Sequence, residues 1–475
     1  MPRPNRVIWT FVISSMAVFM AALDNLVVTT ALPVIRASFG ASLSELEWIV
    51  NAYTLTFAVL LLTGAALGDR FGRKRLFVIG LAIFTGGSAL AALSSTVGVL
   101  IAARAIQGLG GAILTPLSLT ILSAAVPRER RAVALGAWGG IAGLAIAVGP
   151  LVGGAIAQGL AWQWIFWVNV PIGLLAIPLA ITRLDESHGP SSRLDLPGLG
   201  LVSAGLFAIV WGVVRGNELG WTSSPILISL GVGLVLVVAF LAWEARAAEP
   251  MLPLNLFRSR SFSAANAVSL LMTFGMFGSI FLLAQFFQIV QHYSPLEAGI
   301  RTLPWTIMPI FVAPLAGVFS TRIGTRPLLV AGMALQAAAL GWISLVISPT
   351  VDYARIVPAF ILAGVGMGLF FAPIANVVLS AVRPEDEGKA SGANNAIREL
   401  GGVFGVAVLA SVFAANGSYQ SGQAFVAGMI PALQLGTGFV AIGAVAALAL
   451  AGRARLAELE LEPESASPDA PAMAS

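Results

Sequence analysis

The sequence predicts an all-α polytopic membrane protein of about fourteen spans, built as two six-helix bundles with two extra helices inserted between them. Three observations predict it. Of 475 residues, 58% are hydrophobic and 10% charged, against about 25% charged in a soluble domain, so bilayer must cover most of the surface. Apolar segments long enough to cross about 30 Å of hydrocarbon recur from end to end. The Lys and Arg residues fall on alternate loops, as the positive-inside rule requires.

The first apolar stretch starts at Val7, after Met1 to Arg6. It runs about twice the length of a signal-peptide core, so a retained first span over 7–34 is expected. Further spans are expected near 48–68, 76–96, 98–125, 134–157, 164–182, 197–215, 224–243, 263–290, 299–320, 327–348, 355–380, 391–415 and 432–452. With the N-terminus in the cytoplasm, the cytoplasmic loops hold Arg70, Arg73, Lys74 and Arg75, then Arg128, Arg130 and Arg131, then Arg183 and Arg193. Later ones hold Arg246, Arg258 and Arg260, then Arg322 and Arg326, then Arg383 and Lys389, and the termini add Arg3, Arg6, Arg453 and Arg455. The opposite side holds Arg36, Arg215, Arg301 and Arg355, with Arg104 and Arg398 inside spans, which accounts for all 26. A missed helix would scramble this asymmetry, so both termini are expected in the cytoplasm of a plasma (inner) membrane protein.

A weak internal repeat supports the division. Gly68-Asp-Arg-Phe-Gly72 follows the second span and Ser320-Thr-Arg-Ile-Gly324 the tenth, Arg70 matching Arg322 and Gly72 matching Gly324 at one offset. The expected units are a first bundle over 1–182, a linker with two spans over 183–262, a second bundle over 263–452 and a disordered cytoplasmic tail over 453–475. Parallel halves of this kind typify transporters that rock about a midplane site.

Several function classes are excluded or disfavoured. Cysteine is absent, so disulfide and thiol chemistry are excluded. His188 and His292 are the two histidines, and both fall between apolar runs, so no metal and no cofactor are expected. The basic residues form short separated clusters rather than a nucleic-acid-binding stripe. The expected partners are the lipid bilayer, a small-molecule substrate and protons, and the chain is expected to act as a monomer. A membrane enzyme would need a polar constellation at one depth, for which Asp24 and Glu399 are the candidates. An uptake symporter or a non-transporting sensor on the same fold are the other readings.

Ionisable groups inside spans carry the chemistry, because each costs roughly 2.5–3.5 kcal/mol at a span centre. Asp24 lies in span 1, Arg104 in span 4, and Arg398 and Glu399 in span 13. Asp24 and Arg104 are either a self-neutralising structural pair or a site at which Asp24 exchanges a proton. Burial favours the neutral carboxyl and a nearby Arg the ionised one, so moving the Arg switches the site. Glu399 either takes part or stays ionised beside Arg398. Span 5 holds Gly149, Pro150, Gly153 and Gly154, a bend packed closely against a neighbouring backbone. On span 9, Phe274, Phe277, Phe281, Gln285 and Gln288 share one helix face. Two glutamines on that stripe ought to face protein or water, which favours a substrate wall, joined by Tyr53, Trp305 and Asn376.

At these residues the chain resembles the major facilitator superfamily, and within it the fourteen-span drug:proton antiporters. Leu67 to Lys74 is similar to the superfamily's loop 2–3 signature, with Ala65 where its first glycine is expected. Leu100 to Gly110 resembles the signature of the fourth helix. Gly149-Pro150 with Gly153-Gly154 resembles the antiporter signature of the fifth, with Ala145 replacing an earlier glycine. Asp24 with Ala31 to Pro33, Trp162 to Gly173 and Ile397 to Ala407 resemble segments of the fourteen-span subfamily, Glu399 standing where glutamine is usual. The resemblance implies the major facilitator fold and efflux of a lipophilic organic compound in exchange for protons, by alternating access. It further implies that Arg104 helps relay the proton and that the Gly149-Pro150 bend favours export. It makes Asp69, Arg70, Gly72 and Arg73, with Arg398, the cytoplasmic gate. Asp69 is expected to cap the first turn of span 13, around Ala390 to Ala393, in one conformation only.

Overall fold

Uninterrupted apolar stretches in a bilayer must satisfy their backbone internally, and helices do so. The computed structural model describes residues 4–189, 194–383 and 386–450, and these form fourteen helices long and apolar enough to cross a membrane. They are α1 (Pro4–Phe39), α2 (Leu43–Phe71), α3 (Arg73–Ala92), α4 (Val97–Ala125) and α5 (Arg128–Gly159). Next come α6 (Trp164–Arg183), α7 (Leu196–Leu219), α8 (Ser224–Glu244) and α9 (Arg260–Val290). The last five are α10 (Pro295–Ser320), α11 (Thr325–Val346), α12 (Tyr353–Ser380), α13 (Glu387–Asn416) and α14 (Gly422–Ala447). The expected tail over 453–475 lies outside the described residues.

Where the helices depart from the sequence expectation, caps and prolines explain it. Helix α2 starts at Leu43 because Ser42 and Glu45 form a reciprocal capping box, which places Glu47 inside the helix rather than before it. Helix α14 starts at Gly422, ten residues before the expected 432, with Ser421 accepting from the Ala424 N–H. Pro431 lies inside it, because a proline in a membrane helix is tolerated when neighbours satisfy the freed carbonyl. Helix α13 starts at Glu387, so its first turn lies one turn before Ala390 to Ala393. The α9 helix ends in a single π turn, Phe286–Val290.

In the first half α1 packs on α5, and α4 on α2 and α3; in the second, α9 packs on α13 and α14, and α11 on α12 and α14. The halves meet along α2 with α13 and α5 with α10. Helices α7 and α8 pair with each other, and α7 lies beside the first seam. There Leu206, Val210 and Val214 join Leu55, Val403 and Ala407 in one apolar cluster. The repeat noted in the sequence has a backbone counterpart. Gly72 and Gly324 each end a helix and begin the next, at φ of +102° and +87°, conformations that a side chain resists.

Candidate functional site

The site is built on α1, α4 and α6. Asp24 is 1% exposed and Arg104 1%, and the Arg104 Nη1 donates to Asp24 Oδ2 in a fully buried ion pair. Arg104 Nη1 also donates to Gln107 Oε1 at 2.9 Å, and its Nε donates to the Ile49 carbonyl at 3.2 Å. The other Asp24 oxygen accepts from Gln107 Nε2 at 3.1 Å and from Asn169 Nδ2 at 2.9 Å. Gln107 is held in turn by Ser88 Oγ at 2.7 Å. Tyr53 closes the site, with the Arg104 guanidinium 4.4 Å from its ring centroid and its hydroxyl donating to the Ala21 carbonyl. A buried charge with this many donors is a stable resting arrangement, and losing one partner would leave the other uncompensated.

Gln107 and Asn169 stand within the segments Leu100 to Gly110 and Trp162 to Gly173 that carry the family resemblance, but the sequence assigns neither a role at the site. Gln107 lies one turn beyond Arg104, on the same helix face. Asn169 stands in an apolar run, where an amide needs a partner. Those two signals were available.

The glycines of α5 connect this site to the far end of the molecule. A side chain at Gly149 would meet Leu26 Cβ at 2.8 Å and one at Gly153 the Val27 carbonyl at 2.8 Å, both within a turn of Asp24. Gly154 faces the opposite way, against the backbone of Pro295 on α10, and Gly299 faces the Pro150 carbonyl. Hydrogen bonds between the halves gather at this same end. Thr306 Oγ1 donates to the Ala147 carbonyl at 3.0 Å, Leu296 N–H to Gln158 Oε1 at 3.2 Å, and Gln288 Nε2 to the Thr30 carbonyl at 2.8 Å.

Of the span 9 stripe, Gln288 crosses to the first half, while the other members pack within the second. Phe274 stacks on Phe439 of α14 at 4.4 Å, Phe277 packs on Gly402 of α13, and Phe281 is 1% exposed. Gln285 accepts from the Tyr419 hydroxyl, whereas Gln288 reaches α1. Trp305 is buried against Phe360, and Asn376 is exposed on α12. Tyr53 is thus the aromatic candidate that adjoins the ion pair. Glu399 pairs with Arg398 at 3.3 Å.

At the basic end, Asp69 accepts from Arg73 Nε at 2.8 Å, one turn away, and its carbonyl accepts from the Gly189 N–H. Arg70 is exposed, with its guanidinium beside Phe71. The carboxylate that caps a helix here is Glu186, which receives the Lys74 and Arg75 N–H groups at 2.9 and 3.1 Å. It lies against Gly72, where a side chain would meet that carboxylate.

A family model described as Major Facilitator Superfamily matches residues 14–406. The chain is 36% identical over 408 residues to Multidrug resistance protein Stp of Mycobacterium tuberculosis (strain CDC 1551 / Oshkosh), covering 86% of this chain and 76% of that one. It is 34% identical to the Tetracenomycin C resistance and export protein of Streptomyces glaucescens, covering 86% and 76%. Against the cephamycin export protein CmcT of Amycolatopsis lactamdurans it is 37% identical, covering 87% and 85%. Among solved structures, a peptide transporter POT in complex with sulfate superposes with a TM-score of 0.69 at 15% identity, over 96% of each chain. The human organic anion transporter MFSD10 gives 0.61 at 15% identity, over 94% of this chain and 100% of that one. At such identities the structural likeness is one of fold.

Proposed function

Since the chain belongs to the major facilitator superfamily, and its relatives include multidrug resistance and antibiotic export proteins, we propose that it exports a small lipophilic organic compound in exchange for protons. The observation that carries the proton is Asp24: a buried carboxylate held by one guanidinium and two amides, on a helix whose neighbour α5 reaches across to the second half. The ionised pair is one state of the cycle. When Arg104 withdraws or water enters, Asp24 takes a proton, and the neutral acid no longer needs its partner. A substrate seated near Tyr53 competes for the same space, which links its release to proton uptake.

The basic end, with Arg70, Arg73, Lys74 and Arg75, is read as cytoplasmic. On that reading, the bonds from Thr306 to Ala147, Leu296 to Gln158 and Gln288 to Thr30 support a state closed to the outside. Asp69, Arg70, Gly72, Arg73 and Arg398 are proposed to gate the cytoplasmic side. Glu399 is proposed to couple the second half to Asp24. The span 9 stripe is proposed as the wall that substrate meets once the halves part.

Asp24→Asn should abolish proton-driven export while leaving expression intact, at a cost in stability because Arg104 loses its counter-charge. The measurement is flux in inverted or right-side-out vesicles under an imposed pH gradient, using a panel of lipophilic antibiotics. Export by the variant at wild-type rates would remove the proton role from Asp24, and inward flux would reverse the direction proposed.

A further inference from the structure

At the end opposite the basic loops, two consecutive residues of the inserted helix α7 bond to different halves of the molecule. Asn217 Nδ2 donates to the Ser411 carbonyl of α13 at 2.6 Å and to Ser411 Oγ at 2.9 Å. Glu218 accepts from the Ser44 hydroxyl, in the first turn of α2. Trp221 Nε1 donates to Asn217 Oδ1 at 3.0 Å, which turns the amide nitrogen toward α13. The Trp48 ring of α2 lies 5.4 Å from Phe207 of α7, and the apolar cluster shared by α2, α7 and α13 continues the contact along the helices.

The two attachments differ in what breaking them leaves behind. Ser411 is buried and Asn217 half-buried, so parting them strands an amide and a hydroxyl in apolar surroundings. Glu218 has a 39% exposed side chain and keeps Arg215, on its own helix, at 2.9 Å. Ser44 keeps the Ser42 hydroxyl at 3.2 Å. Each of that second pair has a substitute on its own element, so the Ser44–Glu218 bond is the one that parts at lower cost.

We infer that α7 is a bridge holding the outer end of the α2–α13 seam closed, with the Ser44–Glu218 bond as its latch. When the latch releases, α7 and the α8 helix packed on it ride with the second half. The inference rests on the proposal that the halves part at this end, but not on a proton or a particular substrate. A bridge holds only while both attachments hold. Cutting either therefore frees the seam, and cutting both adds nothing, unlike two independent contacts, whose effects sum.

The chain has no native cysteine, so spin labels placed in pairs at Gln158→Cys, Leu296→Cys and Leu219→Cys report the first half, the second half and α7. Gly154→Leu, whose side chain has no room against the Pro295 backbone, provides the open end. In nanodiscs it should lengthen the 158–296 and 158–219 distances and leave 219–296 unchanged. With Gly154 in place, Ser44→Ala should raise the population with a long 158–296 distance by about twofold to tenfold. Asn217→Ala should raise it to a similar extent, and the double variant no further. Should Asn217→Ala fail to fold, Ser44→Ala and Glu218→Ala must give equal shifts that do not add. Lengthening of 219–296 with 158–219 unchanged would place α7 with the first half and overturn the assignment. So would a population unmoved by Ser44→Ala, or single effects that sum in the double variant. A 158–296 distance that stays short in every variant would instead refute the parting of the halves at this end, and the latch with it.

Discussion

At the scale of single residues, Arg104 is asked to do three things at once: pair with Asp24, hold Gln107 and bond the Ile49 carbonyl. A planar guanidinium can serve divergent acceptors, whereas an ammonium on a flexible stem acts as a point charge. Arg104→Lys should therefore stay folded but lose about tenfold or more in proton-driven flux. Arg104→Ala, which strands a buried carboxylate, should cost roughly 3–5 kcal/mol unless Asp24 takes up a proton. Thermal unfolding and vesicle flux, measured on both variants across pH, separate these effects. If Arg104→Lys exports normally, the pair merely neutralises itself. Much of this site was legible beforehand, because an ionisable residue within an apolar run announces itself. The latch residue Ser44 was not: the hydrophobic run begins after it, and it is the capping box at Ser42 that draws it into the helix.

At the scale of elements, the α5–α10 contact depends on the absence of side chains. Gly154 lies against the Pro295 backbone, which cannot swing aside as a side chain would. Gly154→Ala should separate the two helices at that end, at a cost of about 1–3 kcal/mol. That is a change of roughly fivefold to a hundredfold in the population of the closed state, readable in the same label distances. An unchanged distance would mean that the helices are not pressed together in solution. The sequence flagged this cluster as a close approach because glycines flank a proline in an apolar run, but it could not say which partner. Two partners exist, α1 through Gly149 and Gly153 and α10 through Gly154, and tertiary placement alone distinguishes them. The last span starts ten residues before the expected 432, and Pro431 is carried inside α14.

At the scale of the whole molecule, alternating access predicts that fixing one end stops the cycle. A disulfide between Gln158→Cys and Leu296→Cys should form readily, abolish export, and release it again on reduction. Full export by the cross-linked protein would show that the halves need not part there. The gate at the other end gives a complementary expectation. Asp69 pairs with Arg73 here, and in a state open to the outside it is expected near the first turn of α13, which begins at Glu387. Asp69→Asn should weaken that state by roughly 0.3–1 kcal/mol, up to about 2 if partly buried, slowing turnover while preserving substrate binding. Cross-linking between the α2–α3 junction at Gly72 and the start of α13 that is equally efficient with either end open would make Asp69 a static anchor.

The Asp24–Arg104 pair has one more consequence, which concerns voltage. As an ion pair it carries no net charge, so the membrane potential exerts little force on the site in this state. Protonating Asp24 while Arg104 stays nearby leaves a surplus positive charge inside the low-dielectric core. Moving one such charge through the full membrane field is worth about 2.3 kcal/mol per 100 mV. On the proton-coupled reading, exchange of one proton for a neutral compound should thus generate current, and an inside-negative potential should accelerate it. A monovalent cationic compound exchanged for a single proton should run without net current, because the charge that leaves balances the charge that enters. Recording potential across proteoliposomes loaded with neutral or cationic compounds would reveal which exchange the buried pair supports.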